Sequence, residues 1–101
     1  MNWPESDPNF GYRGTGRTTR QMLAAPLKAV YVCVNEQDTR RYARELARKI
    51  NRGDLELVGP SWLGDKWEGR ILSGLVLDHA CRFTSRQWEG LRGARTRVRP
   101  A

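Results

Sequence analysis

Ala29-Val30-Tyr31-Val32-Cys33-Val34 is an apolar, β-branched run with almost no polar alternation. A strand with one wet face alternates apolar and polar residues. A strand without alternation needs cover on both faces, as in a parallel sheet flanked by helices. The neighbouring segments supply that cover. Upstream, residues 17–25 fit a short helix stopped by Pro26. Downstream, Asn35 suits the cap of a helix with Glu36 and Asp38 in its positive first turn. That helix runs to about Asn51, before the stop at Gly53. Tyr42, Ala43, Leu46, Ala47 and Ile50 form its apolar stripe, with Arg40, Arg41, Arg44 and Arg48 largely outside it.

The same alternation continues. Leu55-Glu56-Leu57-Val58 reads as a second strand, ended by Gly59-Pro60. Ser61 then caps a short helix carrying Trp62, Leu63 and Trp67. Residues 71–78 read as a third strand, apolar up to a terminal Asp. Thr84 with Gln87 forms a capping-box pattern that opens a last helix over about 85–92, with Trp88 and Leu91 facing inward. Helices between strands at this spacing imply βαβ crossovers. The expected fold is therefore α/β: a small three-layer domain with a mostly parallel sheet of about three strands and flanking helices. The 101 residues suffice for one such domain over residues 11–91. Residues 1–10 read as an irregular arm with Trp3 and Phe10 as anchors, and residues 92–101 as a basic tail.

The chemistry concentrates at Gly11-Tyr12-Arg13-Gly14-Thr15-Gly16-Arg17-Thr18-Thr19. The spacing G-x-x-x-x-G-R-T-T is that of a phosphate-binding P-loop with Arg in the place of Lys. Glycines let main-chain N–H groups approach a phosphate closely, and the helix that follows points its positive end at the same spot. Thr18 stands where the pattern needs a hydroxyl for Mg²⁺. Gly74-Leu75-Val76-Leu77-Asp78 delivers a carboxylate at the end of an apolar strand, and ligands of open parallel sheets bind at that edge.

With both elements in hand, the chain resembles the P-loop NTPases, in the form of a pared-down first RecA-like domain of the helicase type. The resemblance covers roughly residues 11–80: the Walker A loop at Gly11 to Thr19, the strand and helix through Ala47, and Leu75-Val76-Leu77-Asp78-His79-Ala80 in the place of the Walker B box. It is similar, more loosely, to very small P-loop proteins of phage and prophage. The resemblance implies that Gly11, Gly14, Thr15, Gly16, Arg17, Thr18 and Thr19 hold the phosphates of ATP or GTP. Thr18 and Asp78 would hold Mg²⁺, and Glu36 or His79 would orient water for hydrolysis. The chain departs from the family pattern at Arg17, at His79 (where a Glu is usual), and in residues 2–10, whose Pro4 and Pro8 do not suit a strand leading into the loop. The expected activity is accordingly phosphate binding with weak or no hydrolysis. The alternative is a non-catalytic basic adaptor on the same scaffold.

Charge points to anionic partners. Fifteen Arg and three Lys face eleven acids, giving +7. The cluster Arg92, Arg95, Arg97 and Arg99 is the candidate for nucleic-acid or acidic-protein contact. Trp62, Trp67 and Trp88 read as core residues rather than base-stacking ones. No apolar run approaches the ~20 residues that span a bilayer, and the first ten residues lack the pattern of a signal peptide. Cys33 and Cys81 have no metal-ligand spacing around them and read as cytoplasmic thiols. No nucleophile triad, metal cluster or carboxylate pair stands out. An oligomer remains open.

Overall fold

The computed structural model describes residues 16–99. Three parallel strands, β1 (Val30–Val32), β2 (Glu56–Val58) and β3 (Leu75–Leu77), form one sheet in the order β2-β1-β3. Val30 lies opposite Glu56 and Leu75, and Val32 opposite Val58 and Leu77. The central strand is buried throughout, as its unalternating sequence requires.

Side chains alternate across β1, and each face gathers its own core. Ala29, Tyr31 and Cys33 pack with Met22 of α1 (Arg17–Ala24) and with Ala43, Leu46 and Ala47. Val30 and Val32 pack on the other face with Trp62 and Leu63 of α4 (Trp62–Asp65) and Leu91 and Ala94 of α5 (Ser85–Arg95). The result is the three-layer α/β arrangement expected from the sequence. No helix among the described residues is long and apolar enough to cross a membrane.

Five local expectations are corrected. The helix after β1 is not uniform: α2 (Glu36–Asp38) passes through a π-helical stretch (Thr39–Ala43) into α3 (Arg44–Lys49). Within it, Thr39 is buried and its hydroxyl donates back to the Asn35 carbonyl at 2.9 Å. The same carbonyl also accepts from the Thr39 N–H at 3.2 Å, so the hydroxyl bond adds to the backbone pairing there. Ser61 sits before α4 without a side-chain cap; its backbone N–H instead donates to Glu36 Oε2 at 3.0 Å.

The third strand is shorter than residues 71–78. Gly74 is packed so closely under Pro26 and Ala29 that a Cβ there would meet Pro26 Cγ at 2.8 Å, and the ladder begins at its carbonyl. Residues before it turn away, and Leu72 pairs with Val98. The basic segment is correspondingly not a separate tail. Arg92 and Arg95 form the last turn of α5, and Arg97 O and Arg99 N each bond Leu72 at 2.8 Å. Trp88 does not face inward; it is half exposed, while Leu91 is buried as expected. The Thr84–Gln87 capping box is present in both directions.

Candidate functional site

Gly16 precedes α1 with φ 75°, a left-handed conformation that a β-carbon disfavours. It aims the first turn of α1 at the carboxyl edge of the sheet. Thr18, in that turn, is buried, and its Oγ1 donates to Asp78 Oδ2 at 3.0 Å. The bond joins residues 60 apart in sequence. It links the two elements that the sequence singled out, the helix after the glycine loop and the residue ending β3.

Asp78 is only 5% exposed, and its carboxylate is tightly held. Oδ2 also accepts from the Tyr31 hydroxyl at 2.9 Å, and Oδ1 from the Ala80 N–H at 2.9 Å. A buried carboxylate needs such donors, because desolvation otherwise disfavours its charge. Tyr31 reaches it from the central strand, fully buried. Burial and the facing Asp78 push the Tyr31 phenol far above its ordinary range, so it remains a donor. Thr18 commits its proton to Asp78, so Oγ1 keeps its acceptor lone pairs.

A second tie lies beside the first. Gln21, one turn further along α1, donates through Nε2 to the Leu77 carbonyl at 2.9 Å and accepts from the His79 N–H at 2.8 Å. His79 Nδ1 lies 3.3 Å from Gln21 Oε1 and 3.4 Å from Asp78 Oδ1. The His79 residue as a whole is exposed. α1 is thus clamped to the end of β3 by two side chains, Thr18 and Gln21.

The remaining site candidates separate. Arg17 and Thr19 follow Gly16 at the start of α1, Arg17 exposed and Thr19 half-buried. Gly11, Gly14 and Thr15 lie outside the described residues. Glu36 stands at the carboxyl edge on the β2 side of β1, held over Gly59 and bonded to Ser61 N–H, whereas Asp78 ends β3 on the other side. Arg92, Arg95, Arg97 and Arg99 belong to the α5 face of the sheet, opposite the face that α1 covers. Arg97 lies over the Trp67 ring at 5.9 Å from its centroid. Tyr31 and Gln21 escaped the sequence reading. Tyr31 looked like one more apolar strand residue, and Gln21 has no motif position; the single hint was a hydroxyl inside an otherwise apolar strand.

No group of three or more His, Cys, Asp or Glu that could by itself hold a metal occurs among the described residues. Cys33 and Cys81 are not joined in a disulfide. Burial raises the Cys81 thiol to about 11, and the Asp78 charge adds to the effect. Comparison with protein-family models, curated proteins and solved structures finds no match.

Proposed function

We propose that this protein binds a nucleoside triphosphate, ATP or GTP, or another polyphosphate, through a P-loop over residues 11–19. The observation that carries the reading is the Thr18–Asp78 hydrogen bond at the carboxyl edge of a parallel sheet. That edge is where open α/β sheets bind ligands, and a helix N-terminus after glycines favours an anion. Gly16, Arg17, Thr18 and Thr19 hold the phosphates from the helix side. The resemblance to P-loop NTPases, in a degenerate form, rests on the same residues.

Mg²⁺ fits the donors present. Thr18 and Asp78 offer hard oxygen ligands, which suit an ion that keeps waters and shares phosphate oxygens. When bound, Mg²⁺ neutralises charge on the phosphates. Tyr31 and the Ala80 N–H orient the Asp78 carboxyl group for it. Hydrolysis is slow or absent, because Glu36 is tied to Ser61 N–H and His79 stands in the usual place of Glu. The protein works in the cytoplasm, a placement that the two unjoined thiols favour.

Calorimetry with ATP, GTP and pyrophosphate tests the reading. Binding should depend on Mg²⁺, and Gly16→Val and Arg17→Ala should both weaken it. A phosphate-release assay should stay near background. Turnover near the ~10 s⁻¹ typical of enzymes would refute the second part, and Glu36→Gln and His79→Ala would then identify the water-orienting group. The runner-up, a basic adaptor without nucleotide, is favoured by one observation: both Asp78 oxygens already have donors. No heat with any of the three ligands at millimolar concentration would select it.

A further inference from the structure

Trp88 is 50% exposed on α5, although a tryptophan in so small a domain is expected to be core. Phe83 packs edge-on against it, centroids 5.2 Å apart at 83°, which fixes the ring and leaves much of it exposed. Arg92 and Arg95 follow at i+4 and i+7, on the same side of the helix and exposed. Between residues 80 and 99 six arginines face one acid, Glu89. Leu91, Gly90 and Ala94 occupy the buried side of α5, so the Trp88 stripe has no role in the core.

We propose that the Trp88–Arg92–Arg95 stripe binds single-stranded nucleic acid. A single strand has open base faces, and base–aromatic stacking is tolerant of sequence. A duplex keeps its base faces stacked and offers the ring nothing. The stripe is about 10 Å long at ~1.5 Å per helical residue. Trp88 supplies the stacking platform, and Arg92 and Arg95 take phosphates bidentately. Arg97, engaged over Trp67, is left to the fold. The surface lies across the sheet from Thr18 and Asp78, so the proposal stands apart from the polyphosphate site.

Fluorescence anisotropy with labelled oligothymidylate, the matching duplex and polyglutamate decides the matter. Buffer containing EDTA keeps any Mg²⁺-dependent site silent. Oligothymidylate should bind more tightly than the duplex. Trp88→Leu, which keeps apolar contact with Phe83, should weaken it roughly 5- to 150-fold, as lost base stacking does. Trp88→Tyr should restore most of the affinity. Arg92→Ala with Arg95→Ala should flatten the salt dependence by about 1.4 in the log–log slope, at ~0.7 per single-strand phosphate. The pair Arg44→Ala with Arg48→Ala removes equal charge from α3 and should leave the stacking contribution intact. Equal affinity for single strand and duplex, or no loss in Trp88→Leu, overturns the proposal. Preference for polyglutamate overturns it in favour of an acidic protein.

Discussion

Tyr31 shows how one side chain ties the core to the site. Its ring is part of the apolar cluster under α1, and its hydroxyl reaches Asp78. Tyr31→Phe keeps the ring and deletes the donor. Hydrogen bonds to charged groups contribute about 1.5–3 kcal/mol, so urea unfolding should register a loss in that range. Far-UV circular dichroism should not change. Another pair contributes to the acid limb of stability. Asp54 accepts from Arg52 Nε at 2.9 Å and from the Lys28 N–H at 2.7 Å, and these bonds hold its carboxyl well below the usual range. The folded pKa is depressed, so the pairing contributes fully above the unfolded value of about 4. It fades as pH falls through the lower, folded value. Asp54→Asn should therefore flatten the decline in stability below pH ~4, read from unfolding midpoints across an acid series.

Two glycines of the short helix pair α4 and α5 make opposite predictions. A Cβ at Gly90 would run into the Leu63 backbone carbonyl, so α5 approaches α4 as closely as a glycine allows. Gly90→Ala should cost about 1–3 kcal/mol by overpacking, more than any gain in helix propensity. At Gly64 nothing lies within 4 Å of the same atom. Gly64→Ala should stabilise by up to about 1 kcal/mol, and paired denaturation curves check both signs. The positions of the helices and the Thr84 cap were legible in the sequence because their signals are local, whereas the Ser61 cap was not formed. The Thr84–Gln87 box, the stripe from Tyr42 to Ile50 and the buried run at β1 depend on near neighbours alone. The π-helical stretch and the late start of β3 were not legible. Nothing in the structure explains the π-helical stretch. The start of β3 follows from Gly74 packed under Pro26, a contact that only the assembled fold creates. Trp88 failed for a related reason. Its spacing to Leu91 suits an inward face, but Gly90, Leu91 and Ala94 already fill that face.

At the scale of the molecule, the sheet brings Thr18 and Asp78 together from 60 residues apart, a meeting expected of two motifs at the carboxyl edge of a parallel sheet. The role of residues 92–99 was not anticipated, since a run of arginines carries no sign of what lies beneath it. Ala94 is fully buried, Val98 packs against the second core, and Leu72 bonds the backbone on both sides of Val98. Deleting residues 92–101 should therefore destabilise the domain by about 3 kcal/mol or more, from one buried apolar side chain and two hydrogen bonds. Thermal unfolding of the truncation beside the full chain gives the comparison.

Arg52 has a consequence at a distance. Its guanidinium bonds Asp54 and the carbonyls of Met22, Leu23 and Pro26, which are the last groups of α1 and the turn beyond it. α1 has no basic residue of its own in that turn. The helix is thus a strut about 12 Å long at ~1.5 Å per residue, pinned at one end by Thr18 and Gln21 and at the other by a single arginine from across the domain. Lysine carries the same charge but lacks the planar fork that reaches several acceptors at once. Arg52→Lys should leave the helix content intact and still weaken Mg²⁺-dependent pyrophosphate binding, measured by calorimetry, because a strut loose at its far end no longer holds its near end still.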